Sequence, residues 1–185
     1  ELPHQRQIGA TTLMPCEVIP TFCVLSLDVE CSMEGELYSV ALYLQKGEQW
    51  LVSRVIMVGE ARAYSGDFSI QWVDNEETLL LALGRELQRL DPDLIIGWNL
   101  VNFDFRLLIQ RAARYQLTLQ WGRGGGRVRW KEGMDEGQGQ VQIPGRVVLD
   151  GIALLKSATW QFDSYSLESV ARKVLGRGKL IEDPD

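Results

Sequence analysis

Leu94-Ile95-Ile96-Gly97-Trp98-Asn99-Leu100-Val101-Asn102-Phe103-Asp104 decides the architecture of this chain. Its first five residues form a short, almost wholly apolar run, the pattern of a strand buried on both faces. The next six bring in Asn99, Asn102 and Asp104, where the strand breaks and a helix is expected from about Asp104 to Tyr115. That helix is expected to turn Arg106, Arg111 and Arg114 outward. Pro92 closes the element before it, since proline removes a helix donor. A buried strand feeding a helix is the mark of an α/β sheet.

Working towards the N-terminus, residues 74–90 read as a helix, with Leu79, Leu80, Leu83, Leu87 and Leu90 on one face and Asp74 or Asn75 as N-cap. Before it the period is two. Phe22–Glu30 places Cys23, Leu25, Leu27 and Val29 on one face, and Phe22, Val24, Ser26, Asp28 and Glu30 on the other. Glu36–Leu44 and Gln49–Val58 are expected as strands turning at Gly47, and Ser69–Val73 as a short further one. Residues 1–20, with Pro3, Pro15 and Pro20, read as a lead-in from a preceding domain; residues 21–185 form the main domain. Glu1 and Asp185 look like cut points in a longer protein.

Towards the C-terminus, residues 122–145 are Gly-rich, but no Lys-Ser/Thr pair or helix follows. A hairpin or long loop is expected there rather than a phosphate cradle. Arg146–Asp150 reads as a strand and Gly151–Ser157 as a turn or short helix. Ser166–Leu175 is a helix whose apolar residues are Leu167, Val170, Ala171, Val174 and Leu175, closed by Gly176.

The gross numbers narrow the chemistry. The 185 residues, 45% hydrophobic, suit one domain with a real core. No run approaches the ~20 apolar residues of a membrane span, so a cytoplasmic, membrane-free protein is expected. Cys16, Cys23 and Cys31 form no C-x-x-C pair, which fits a reducing compartment. The single His4 disfavours Ser-His-Asp or Cys-His catalysis and multi-His zinc. Net charge is −6, split into −10 over residues 1–104 and +4 over residues 105–185. An acidic half beside a mildly basic one is compatible with a phosphate polymer reaching a metal-loaded pocket, or with ordinary surface charge.

Asp28 and Glu30 point the same way, roughly 6–7 Å apart along the strand. Such a pair repels itself unless a hard cation sits between, and Mg²⁺ and Mn²⁺ prefer oxygen ligands. Asp104, from a second strand end, would add a third carboxylate to a site for two ions roughly 3.5–4 Å apart, as in metal-assisted phosphodiester hydrolysis. An acid at a strand end or helix start also occurs as a plain cap, so each motif is weak alone.

The joint pattern resembles a known family. Ser26-Leu27-Asp28-Val29-Glu30 looks like the first motif of 3′–5′ exonucleases of the DEDD class, built on a ribonuclease H-like mixed sheet flanked by helices. Asn99-Leu100-Val101-Asn102-Phe103-Asp104 matches the second motif, Asn-x-x-x-Phe-Asp, of family B DNA polymerases, and Ser166-Leu167-Glu168-Ser169-Val170 matches their Ser/Thr-Leu segment. Asp91–Asn99, Asp150–Ser157 and Ser164–Lys179 are similar to the bacterial polymerase II group of that family, and the resemblance covers roughly residues 20–185. The third motif, Tyr-x-x-x-Asp, is absent: Tyr64 is followed by Asp67, one position early and ahead of the second motif. The expectation is that it lies beyond Asp185.

The resemblance implies a proofreading 3′–5′ exonuclease with two Mg²⁺ or Mn²⁺ ions in the complete site. Asp28, Glu30 and Asp104 would be catalytic metal ligands, Asp28 bridging both ions. Asn99, Phe103, Ser166 and Leu167 would bind the single-stranded 3′ end of a DNA primer. The alternative for Phe103 is core packing and for Ser166 an N-cap, and Asp150 reads as a capping residue outside the ligand set. Lys156, Lys173, Arg177 and Lys179 could meet phosphates or form a solvated face. The implied partners are the polymerase domain of a parent chain and, through it, a sliding clamp. A DEDD ribonuclease acting on RNA ends and a catalytically silent DNA-binding or bracing domain remain the rival readings.

Overall fold

Alternation builds the first half of the protein. In the computed structural model, which describes residues 12, 14–133 and 138–178, strands β1 (Cys23–Cys31), β2 (Leu37–Lys46) and β3 (Gln49–Val58) form an antiparallel meander. Leu25, Leu27, Val29, Val40, Leu42 and Ile56 lie buried on one face of it. β4 (Ser69–Val73) adds parallel to β3. Glu1, Pro3, His4, Lys179 and Asp185, all invoked above, lie outside the described residues.

Helix α1 (Glu76–Leu90) then crosses the apolar face. Asn75 caps it through a 2.9 Å bond from the Thr78 N–H, and Asp91 ends it in the left-handed conformation one residue before Pro92. β5 (Leu94–Gly97) returns parallel to β1, and β8 (Val147–Asp150) lies parallel outside β5. The strand order is β4-β3-β2-β1-β5-β8, a six-stranded mixed sheet. Between β5 and β8 come α2 (Arg106–Arg114), a short 3₁₀ turn at Arg123–Gly125, and a hairpin of β6 (Arg129–Glu132) and β7 (Gly139–Gln142). α3 (Gly151–Ser157) and α4 (Leu167–Leu175) follow β8.

Two expectations need correction. Arg111 does not face solvent with Arg106 and Arg114. It is 9% exposed, and its guanidinium pairs with Glu76, a carboxylate that also accepts the Leu37 N–H and the Tyr115 hydroxyl. Burial opposes charge on Glu76, but these donors outweigh it and hold its carboxyl below the usual range. The apolar stripe of α4 is real, yet only Val170 is buried; Leu167, Val174 and Leu175 stay exposed. Periodicity announces an apolar face without saying what covers it.

The Gly-rich segment has a structural task. Arg123 bonds Asp91 and Asp93 at 2.8 and 2.7 Å, and the fully buried side chain of Arg146 bonds Asp91 and the Leu87, Pro92 and Trp121 carbonyls. Asp93 in turn accepts the Cys23 N–H at 2.8 Å, while its own backbone bonds Cys23 and Val147. This brace gathers the amino ends of the three parallel strands. The opposite, carboxyl ends are left to open into a crevice, the usual ligand location in open α/β sheets. Among the described residues no helix is long and apolar enough to cross a membrane.

Candidate functional site

At that carboxyl end β1 outruns β5. The parallel pairing is Val24 with Leu94, Leu25 with Ile95 and Ser26 with Ile96, so Val29 has no strand partner on the β5 side. Its N–H donates instead to Oδ1 of Asp104 at 2.9 Å. Asp28 and Glu30, on either side of buried Val29, are both exposed on the other face, and the β1–β2 register shifts between Glu30 and Cys31. Such a bulge bends a strand and re-aims its side chains.

Asp104 reaches this place because β5 does not pass straight into α2. Residues Leu100–Phe105 form a wide π-helical turn, entered through Asn99 at φ 55°, a left-handed conformation that asparagine tolerates better than most residues. π turns inside helices occur often at functional sites. The turn buries Leu100, Asp104 and Phe105 and leaves Phe103 45% exposed, so Phe103 is not a core residue. Asp150 caps α3 through the Ile152 and Ala153 N–H groups, as its capping reading anticipated, and its other oxygen accepts the Val101 N–H at 3.0 Å. Asn102 accepts the Gly139 N–H at 2.9 Å and so ties the β6–β7 hairpin to the same turn.

The electrostatics of Asp104 are those of a carboxylate without its counter-charge. Burial, then the nearby charge of Asp28, pushes its pKa up to about 7, against a partial offset from backbone N–H groups; Asp150 adds a smaller upward push. Near neutral pH this acid carries a proton about half the time, and a hard cation would displace it. The carboxylates present suit Mg²⁺ or Mn²⁺, and the neighbouring Cys31 thiol is kept protonated by burial and by the charges of Glu30 and Asp104. Asp28 and Asp104 are brought together, with Glu30 one pleat further along the same strand face. Among the described residues no three acidic, histidine or cysteine side chains stand close enough together to hold a metal ion as a group.

A groove of about 500 Å³ runs from Asp28 over Ser26, Gly97 and Trp98 to Leu154 and Leu167. Gly97 forms part of its floor because the Leu27 carbonyl passes within 2.7 Å of where a β-carbon would sit. Ser166 caps α4 by accepting the Ser169 N–H, and Leu167 presents its exposed side chain to the groove. Asn99 is half-buried at the mouth of the turn. Residues 7–170 match the sequence profile of the DNA polymerase family B exonuclease domain.

The chain belongs to that family. It is similar to DNA polymerase II of Escherichia coli, 40% identical over 161 residues that cover 86% of this chain and 20% of the relative. It also resembles the DNA polymerase of Pyrococcus horikoshii, 28% identical over 177 residues (90% of this chain, 13% of the relative). A further relative is the DNA polymerase delta catalytic subunit of Oryza sativa subsp. japonica, 28% identical over 179 residues (85% and 16%). The chain thus spans a fifth or less of each of these relatives. The mixed sheet flanked by helices is the ribonuclease H-like fold expected for the family.

The sequence reading missed three contributors to the site. The Asp150 bond to Val101 and the Asn102 bond to Gly139 join side chains to remote backbone, which no spacing announces. The third is Trp98, whose indole N–H donates to the Tyr165 carbonyl at 3.1 Å and ties the α3–α4 loop to the end of β5. Its place directly before Asn99 was the available signal.

Proposed function

We propose that this chain is the proofreading 3′–5′ exonuclease part of a DNA polymerase similar to polymerase II, removing the 3′-terminal nucleotide of an unpaired primer end. The observation that carries this reading is the Asp104–Val29 hydrogen bond, which sets the acid of the second motif against the strand that bears Asp28 and Glu30. Asp28, Glu30 and Asp104 would hold divalent cations, Mg²⁺ or Mn²⁺, with a second ion in the complete two-ion site. When bound, such ions lower the pKa of a water and neutralise charge on the leaving 3′ oxygen.

The chain's own residues do the rest. Asp104, buried and short of counter-charge, accepts a cation at the cost of a proton it holds weakly near pH 7. Asp28 and Glu30 offer exposed carboxylates at one strand end. Phe103 presents a ring on which an unpaired base can stack, Asn99 an amide at the same turn, and Leu167, next to the capping Ser166, the far wall of the groove. A frayed, mismatched end reaches this crevice at lower cost than a paired one, because less pairing must be broken. The partners in this reading are the polymerase domain of the parent chain, a sliding clamp met through it, and the single-stranded primer end.

The test uses the parent polymerase and a 3′-labelled single-stranded oligonucleotide with Mn²⁺ or Mg²⁺. Asp28→Ala is expected to abolish 3′ shortening and weaken Mn²⁺ binding by calorimetry while primer extension continues. Shortening at the wild-type rate in Asp28→Ala and Asp104→Ala would refute the assignment.

A further inference from the structure

Beyond the groove, the loop joining α3 to α4 carries a cluster that the site just described does not use. Trp160, 52% exposed, stacks on Phe162 with ring planes 8° apart and centroids at 5.9 Å. Phe162 meets Tyr165 edge-on at 5.6 Å. Lys156 lies over the Tyr165 ring at 5.0 Å and Lys173 over the Phe162 ring at 5.1 Å. The loop is held in shape: the Tyr165 hydroxyl donates to the Trp160 carbonyl at 2.8 Å, and the Trp160 N–H to the Leu155 carbonyl.

Three features bear on what this cluster meets. One exposed ring, Trp160, backed by half-buried Phe162 and Tyr165 and set beside two lysines, has the composition of a single-strand platform, where bases stack on rings and ammonium groups meet phosphates. Local charge favours a polyanion: residues 151–178 hold four basic side chains (Lys156, Arg172, Lys173, Arg177) against two acidic ones (Asp163, Glu168), in a chain of net charge −6. The loop is also continuous with the groove, since Trp98, a groove residue, bonds the Tyr165 carbonyl, and Leu167 follows Tyr165 by two residues.

We infer that Trp160, Phe162 and Tyr165, with Lys156 and Lys173, form a stacking platform for unpaired bases of a DNA strand whose 3′ end lies at Asp28 and Asp104. This rests on the exonuclease reading for the position of that end. The platform would take bases upstream of the terminus without regard to sequence, because every base has a π face. It would thereby favour ends frayed over several nucleotides.

The experiment titrates the 185-residue chain with fluorescein-labelled oligothymidylates of three and twelve nucleotides, with and without Mn²⁺. Wild type is expected to bind the twelve-mer more tightly than the trimer. Trp160→Ala with Phe162→Ala is expected to lose most of that gain, about fivefold or more for each stacked base removed, with trimer affinity kept. Trp160→Phe, which retains a ring, is expected to keep the gain and so separates stacking from misfolding. Lys156→Gln with Lys173→Gln is expected to flatten the salt dependence by about 0.7 in log–log slope for each phosphate no longer neutralised. An unchanged gain in the double aromatic variant overturns the platform, the loop then being a packing surface for another part of the protein. No twelve-mer binding by wild type overturns it equally. Asp28→Ala, run in parallel, addresses the other premise: a ring-dependent gain with Mn²⁺ effects untouched by Asp28→Ala would keep the platform and sink the exonuclease placement.

Discussion

Replacing Asp104 by Asn isolates the electrostatic cost built into the crevice. Asn keeps the shape and an oxygen that can accept the Val29 N–H, but it never ionises. The wild-type pKa moves from 3.8 in the unfolded chain to about 7 in the fold, through burial first and the Asp28 charge second. Between those values the folded protein binds more protons than the unfolded one, so this group lowers stability as pH rises. The penalty is absent below pH 3.8, grows through the interval, and is complete above about 7. At about 1.4 kcal/mol per pH unit, it is on the order of 4 kcal/mol at pH ~8.5, of which less than half is already present at pH ~5. The assay is urea unfolding of wild type and Asp104→Asn at both pH values without divalent ions. The variant's advantage is expected to be larger at the higher pH by roughly 2–3 kcal/mol. Taking the difference between proteins cancels the acids common to both, such as Glu76 and Asp91. Saturating Mn²⁺ is expected to stabilise wild type more than the variant. An advantage of the same size at both pH values would refute the reasoning.

Three other substitutions probe the scaffold and the site. Arg111→Ala leaves the Glu76 carboxylate buried without its guanidinium, and a loss of about 3–5 kcal/mol is expected in denaturant unfolding. Gly97→Ala sets a methyl group 2.7 Å from the Leu27 carbonyl and 3.0 Å from Leu100, so a cost of about 1–3 kcal/mol is expected together with weaker Mn²⁺ binding. Phe103→Ala removes a ring that is 45% exposed; stability within about 1 kcal/mol of wild type and looser binding of single-stranded ends are expected, and the reverse pattern in melting and titration data would assign Phe103 to packing.

Much of the fold was legible because local signals and tertiary structure agree. β3 and β4 carry the limits expected from alternation, and α1 begins after one of its two named caps and ends before Pro92. α4 runs between Ser166 and Gly176 as its punctuation required. What escaped was non-local. The π turn at Leu100–Phe105 is too short for any periodicity to reveal, so the expected start of α2 falls two residues early. Arg111 lies on a helix face that looks basic in sequence, and its burial follows from Glu76 on a different helix. For the site, the two motifs gave Asp28 and Asp104, while the bond that relates them passes through a backbone N–H that any residue could supply. The Trp160, Phe162 and Tyr165 cluster escapes a sequence reading because aromatic residues at irregular spacing in a loop resemble ordinary surface.

The Val29–Asp104 bond joins positions 75 residues apart, and it can form only once β5 has come back beside β1. Pairings of such separation are among the slower to assemble, because a long loop must close before they return any energy. A nascent or partly melted chain therefore carries its acids scattered, with no shared pocket to concentrate a cation. On the exonuclease proposal, hydrolytic capacity would in this way be tied to completion of the parallel pairing, and a half-folded copy would be harmless to the nucleic acid around it.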